Sequence, residues 1–228
     1  MYRIFILFSF VLIAGCKNNE GVTVKYIDND PLFFDYKVWA EEDRDYVTVM
    51  LQYRFDGPSG LTRELKDPSK VEFDSTRLEV DSSRMSGYFY ETEKSLDSFA
   101  GKHVIVYADS YGKLYKEEFE FRPFYLKNRL PDKMRRGDVT FQLEGVMPEE
   151  LIRIIALDTV FKSRGINEVD TIKNGLVTIS PDRLQNLVNG KIHLELYKEE
   201  EWQVKNATTA GGILLITYGL KREFELTD

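Results

Sequence analysis

Two histidines, one cysteine and many carboxylates are the side chains here that could carry acid–base, nucleophilic or metal chemistry. His103 follows Gly101-Lys102 directly, whereas one residue, Ile192, separates His193 from Gly190-Lys191. In a strand that offset puts the two imidazoles on opposite faces. No cysteine or third histidine stands nearby, so neither a zinc site nor a His-based triad is expected, and no catalytic residue is assigned. Asp28-Asn29-Asp30 clusters oxygen ligands that could hold Ca²⁺. An Asx turn before Pro31 explains the same residues, and no metal or other cofactor is expected. Carboxylate pairs could hydrolyse a glycan if a cleft held them at the right separation, but no motif selects one pair. Gly57-Pro58-Ser59-Gly60 contains a serine without a nucleophile elbow.

Aromatic residues are the remaining candidates for recognition. Trp39, Tyr88, Tyr90 and Trp202 could stack on sugar rings or anchor a partner protein, since such side chains bury large area at low entropic cost. Packing in the core explains the same residues. Tyr88 and Tyr90 share one strand face and Phe89 the other, so one of those faces is expected in a core. The loop surface around Trp202 and Gly211-Gly212 is the first place to look for a ligand.

Cys16 is the only cysteine and sits at an informative place. Met1, Tyr2 and Arg3 precede an uncharged apolar run from Ile4 to Ala14. That run is too short to span a bilayer as a helix and fits the apolar region of a signal peptide. Its junction, Ile13-Ala14-Gly15-Cys16, resembles the lipobox of bacterial lipoproteins. The resemblance covers the leader and junction, and it implies cleavage before Cys16 with lipid on the thiol and on the new amino terminus. Two or more acyl chains anchor firmly, at about 0.8 kcal/mol per buried methylene. Lys17 at the next position implies, by the same analogy, the outer membrane rather than inner-membrane retention. Lys17-Asn18-Asn19-Glu20 resembles the surface-export signals of Bacteroidetes lipoproteins, so either a periplasmic or a surface face is open. Asp74-Ser75-Thr76, Asp158-Thr159-Val160 and Asp170-Thr171-Ile172 resemble the O-glycosylation sequon of the same group.

The elements that position these residues read as strands. The apolar period is mostly two, as in Val47, Val49, Leu51, Tyr53 and Phe55, and turns such as Asp56-Gly57-Pro58 interrupt it. Ser180-Pro181 marks the start of one short helix, with serine as N-cap and proline at the first helical position. The two chain halves share a pattern. Phe99-Ala100-Gly101-Lys102-His103-Val104 resembles Val188-Asn189-Gly190-Lys191-Ile192-His193. Lys116-Glu117-Glu118-Phe119-Glu120-Phe121 resembles Lys221-Arg222-Glu223-Phe224-Glu225-Leu226. A Gly-Lys turn feeding a penultimate strand, then a closing strand, twice in the same order, points to a duplicated β-sandwich.

The expected architecture is therefore all-β: two tandem immunoglobulin-like or fibronectin-III-like sandwiches after a cleaved signal helix, with one short helix in the second domain. The boundaries are a signal peptide at 1–15, a lipidated tether at 16–21, a first sandwich at 22–124, a linker at 125–137 and a second sandwich at 138–228. Such a chain resembles the two-domain lipoproteins of unknown function in Bacteroidetes, a likeness that implies no activity. The net charge of −7 with no basic tract argues against nucleic acid, which needs clustered Lys and Arg. The function expected is a membrane-anchored, non-enzymatic envelope module that binds a protein or glycan. The alternatives are an architectural spacer without a specific ligand and a carboxylate-dependent glycan hydrolase.

Overall fold

The computed structural model describes residues 31–137 and 139–228. Cys16, the leader, the tether and Asp28-Asn29-Asp30 lie outside the described residues. Pro31–Asp228 forms one compact unit. Its first half contains β1 (Phe33–Glu41), β2 (Tyr46–Arg54), β3 (Lys70–Phe73), β4 (Thr76–Leu78), β5 (Val80–Ser83), β6 (Gly87–Ser95), β7 (Gly101–Ala108) and β8 (Leu114–Phe121). The second contains β9 (Tyr125–Leu126), β10 (Lys133–Arg135), β11 (Val139–Glu144), β12 (Leu151–Asp158), β13 (Ile166–Thr171), β14 (Leu176–Ile179), α1 (Pro181–Leu184), β15 (Gly190–Gln203) and β16 (Gly212–Thr227). The chain is all-β, as its two-residue periodicity requires. The α1 helix begins at Ser180-Pro181; the Ser180 carbonyl accepts the Arg183 and Leu184 N–H groups, and the serine side chain makes no cap bond.

Three sheets build the unit. A nine-stranded sheet runs β13-β12-β15-β16-β1-β2-β6-β5, with β10 also on β16; the others run β4-β3-β7-β8 and β14-β11-β9. Each half is thus two layers around apolar side chains, and the large sheet is common to both. The strand that joins them is β16. One of its edges pairs with β15 throughout. Its other edge pairs in parallel with β1 over Gly212–Gly219, then with β10 from Glu225. The segment around Trp202 and Gly211-Gly212 belongs to a long β15–β16 arm, which adds its outer part to the first half's sheet.

Residues 125–137, expected as a linker, carry β9 and β10, which pair with β11 and β16. Arg136 secures the end of this segment, donating to the Leu184 and Leu187 carbonyls and to Asn189 Oδ1, all at 2.7 Å. Charge and a proline made the segment look like a solvated connection. Its arginine instead satisfies carbonyls at the end of α1, and Leu126, Leu130 and Met134 pack on the core.

The internal repeat has a structural counterpart. Gly101 pairs with Phe121 and His103 with Phe119; Gly190 pairs with Leu226 and Ile192 with Phe224, which is the same register in both halves. Both glycines lie at positive φ, 124° and 130°, where a Cβ would be strained. His103 is buried and His193 exposed, as the one-residue offset demands.

Many aromatic residues have gone into the first half's core. Phe34, Tyr36, Tyr53, Tyr107 and Tyr115 meet with centroid separations of 4.9–6.0 Å. Burial pushes the Tyr36, Tyr53 and Tyr107 phenols up, Tyr107 to about 12. Tyr36 meets its need for a partner through the Tyr53 hydroxyl at 3.4 Å.

Candidate functional site

Strand parity sorts the four candidate aromatics. Tyr90 faces inward beside Tyr53 and is 4% exposed, and its hydroxyl accepts the Leu65 N–H at 2.9 Å. It belongs to the core and is removed from the ligand set. Trp202 also faces inward. Its indole N–H donates to Glu117 Oε1 at 3.2 Å, and Glu117 Oε2 accepts the Lys205 N–H at 2.9 Å. Glu117 is itself buried, on β8. The Trp202 and Gly211-Gly212 surface is therefore a docked junction rather than an open loop face. Phe34 N–H donates to the Gly211 carbonyl there, and Thr208 Oγ1 donates to the Leu32 carbonyl. Sequence gave these aromatics equal standing because the arm's docking is a contact between distant segments.

Tyr88 is exposed, near the outer edge of the large sheet, with its N–H on Thr62 Oγ1 and its carbonyl accepting from Gln52 Nε2. It shares its parity with Tyr90, so it lies on the opposite side of the sheet from Trp39. The two do not form one site.

Trp39 stands on the outward face, 37% exposed, between buried Val38 and Ala40. Cross-strand pairing sets its surroundings: Trp39 lies opposite Thr48 and Thr217, Thr48 opposite Glu93, and Met50 opposite Glu91. Trp39, Thr48, Glu91 and Glu93, with Ala40, Glu41, Arg44 and Tyr46, line a cleft of about 360 Å³. Two further hollows of about 400 and 480 Å³ contain none of the four aromatics.

The cleft has one fixed wall and one open wall. Arg44 Nη1 donates to the Tyr46 hydroxyl at 2.8 Å, and its Nε lies 3.5 Å from Glu41 Oε2. Glu41 also meets Lys221 at 2.7 Å and accepts from the Tyr197 hydroxyl at 3.2 Å. Partial burial alone would raise the Glu41 carboxyl, but Lys221, Tyr197 and Arg44 together hold it below the usual range. Across the cleft, Glu91 and Glu93 have no ion-pair partner among the described residues. Partial burial pushes the Glu91 carboxyl up, and Glu93 and Asp81 add to the shift. An indole face beside unpaired carboxylates can stack on an apolar or cationic surface and accept hydrogen bonds from hydroxyl or ammonium groups. Among the described residues no group of three or more His, Cys, Asp or Glu side chains could hold a metal ion.

No family model matches the chain, and no curated protein matches it. Several solved structures are similar at low identity. One is the DIP-gamma IG1+IG2 structure, at 10% identity over 89% of this chain and 100% of that one, with a TM-score of 0.26. The adhesin InvE of Yersinia pseudotuberculosis matches at 13% identity over 87% of this chain and 60% of that one, with a TM-score of 0.24. The fibronectin(III)-like modules of Clostridium thermocellum CbhA match at 9% identity over 86% and 94%, with a TM-score of 0.24. At such scores these likenesses carry no argument about ligand or partner. The strand order and register describe the fold without them.

Proposed function

We propose that this chain is a lipid-anchored, non-enzymatic binding module of the bacterial cell envelope, with the Trp39 cleft as its ligand site. Lipid on Cys16 holds it to a membrane, the outer membrane by the Lys17 analogy, and the cleft engages an envelope glycan or protein. The anchor reading is supported by the apolar leader and the Ile13-Ala14-Gly15-Cys16 junction. The ligand reading is carried by one observation: Trp39 is the candidate aromatic that lies outward in a cleft, next to carboxylates without ion-pair partners. An outward indole beside these carboxylates offers stacking and hydrogen-bond acceptance, which suits recognition.

Two measurements test it. Intact mass of the processed protein reports a lipidated Cys16 at the new amino terminus; an unmodified thiol there sinks the anchor. Retention of envelope polysaccharide or envelope protein on immobilised protein should fall about tenfold or more in Trp39→Ala, the scale of a central aromatic anchor. Equal retention by wild type and variant would remove the cleft from the proposal.

The spacer reading has its own support in the pairing of β1 with β16, because a shared sheet resists bending between halves. The two readings are compatible, since a rigid body also holds a binding face at a set distance from its anchor.

A further inference from the structure

The loop between β12 and β13 presents an apolar tip that the fold does not use. Phe161 is fully exposed at 101%, and Val160 is 46% and Val188 45% exposed beside it. The tip is held in shape. Asp158 accepts the Val160 N–H through Oδ1 and the Val188 N–H through Oδ2, both at 2.7 Å. Ser163 N–H closes the turn on the Val160 carbonyl at 2.9 Å, and the Ser163 hydroxyl donates to the Asn186 carbonyl at 2.9 Å. Asp158 therefore spends its carboxylate on backbone N–H groups. Lys162 and Arg164 follow Phe161 in the same loop and have no ion-pair partner among the described residues, in a chain whose net charge is −7.

We propose that the Val160-Phe161 tip is a membrane-contact element, seating Phe161 in the interface of an anionic bilayer with Lys162 and Arg164 on its headgroups. An exposed aromatic side chain with unpaired cations next to it in the same loop has the chemistry of an interfacial anchor. The length of the preceding chain permits the contact. The first described strand begins beside Gly211, and the tip follows Asp158, which is in register with Ile192 and Phe224. Gly212 to Phe224 covers roughly 40 Å at about 3.3 Å per residue. Residues 17–31 reach at most about 50 Å when extended, so a chain anchored at Cys16 can bring the far tip to the same bilayer. Tethering then makes a weak second contact effective, because it raises the local concentration of lipid at the tip. This last step rests on the anchor reading; the contact itself does not.

The test uses residues 17–228 without lipid, which include the whole compact unit, and vesicles of phosphatidylcholine with or without phosphatidylglycerol. Wild type should cosediment with the anionic vesicles, and less at high salt. Phe161→Ser should weaken binding about tenfold, the paired change Lys162→Glu with Arg164→Glu at least as much, and Met85→Ser, at an equally bare position on another loop, not at all. In Phe161→Trp, emission should shift to the blue when anionic vesicles are added. The proposal is overturned by equal binding of wild type and Phe161→Ser, by no preference for anionic over neutral vesicles, or by a dimer that Phe161→Ser dissolves. Because no lipid is attached, a negative result leaves the state of Cys16 open to its own mass measurement.

Discussion

Gly219 lies directly under the ring of Tyr197. A Cβ at Gly219 would stand 2.3 Å from Tyr197 Cε1 and 2.4 Å from Cδ1, closer than any side chain tolerates. The two residues are register partners on β16 and β15. Gly219 is also where β16 leaves β1, for Glu41 is its partner on the other side and its carbonyl accepts the Glu42 N–H. The glycine lets Tyr197 lie across the sheet and reach Glu41 and Glu195 with its hydroxyl. Gly219→Val should displace the ring and cost about 1–3 kcal/mol in urea unfolding. Adding Tyr197→Ala should return part of that loss, since it removes the clash. Additive losses in the double variant would show that the ring is not the obstacle.

The docked arm supplies a second prediction. Glu117 is buried, and its two oxygens are used by Trp202 Nε1 and the Lys205 N–H. Glu117→Ala leaves both donors without an acceptor in a water-poor place, so it should cost about 2–4 kcal/mol. Trp202→Phe loses one of these bonds and keeps most of the packing, and should cost less. Hydrogen exchange at β1 amides that pair with β16 should accelerate in Glu117→Ala more than exchange in β11. Uniform acceleration across both halves would mean that the clamp is not local to the arm.

Much of this was legible in the sequence, and the limits have a physical cause. The period of two gave the strands, and Ser180-Pro181 gave the helix, because both depend on neighbours a few residues apart. The repeat also gave the paired register of Gly101 with Phe121 and Gly190 with Leu226, since each hairpin is local. The sharing of one sheet between halves was hidden, because β1 and β16 meet across nearly the whole chain. For the same reason Trp39 and Trp202 looked alike. An arm that docks on one side of a sheet turns one tryptophan inward, and only the register of β1 shows that the other stays out. The unpaired Lys162 and Arg164 were equally hidden, since pairing is a property of the folded surface.

His103 and Asp74 make the third test. His103 Nδ1 lies 2.7 Å from Asp74 Oδ2, its Nε2 lies 2.6 Å from the Phe99 carbonyl, and its ring stacks on Phe99 at 3.9 Å. Asp74 Oδ1 also accepts the Val104 N–H at 2.9 Å, so one carboxylate ties the β3–β4 turn to β7. Each partner fixes the other. His103→Ala should lose about 2–4 kcal/mol with the stacked ring and its ring-nitrogen contacts to Asp74 and the Phe99 carbonyl, and Asp74→Ala about 1–3 kcal/mol. In a double-mutant cycle the coupling should reach about 1 kcal/mol or more. A coupling near zero would detach the imidazole from the turn and leave His103 as packing alone.

Two glutamates of the cleft should respond to pH in opposite senses. Lys221, Tyr197 and Arg44 hold the Glu41 carboxyl below the ordinary glutamate value of 4.5 against the upward pull of burial. Its contribution is present above that value and is lost as pH falls through the lowered folded one. The Glu91 carboxyl is raised, by burial first and then by Glu93 and Asp81. Its ionised form therefore opposes folding above the raised value, and the penalty fades below 4.5. Glu41→Gln should lower the unfolding midpoint at pH 7 and close the gap to wild type in acid. Glu91→Gln should raise the midpoint at pH 7, with that gain also vanishing in acid, while weakening whatever ligand the Trp39 cleft retains. A stabilised Glu91→Gln that still binds as wild type would show that the open wall of the cleft takes no part in recognition. A destabilised one would show that Glu91 has a partner in the folded chain.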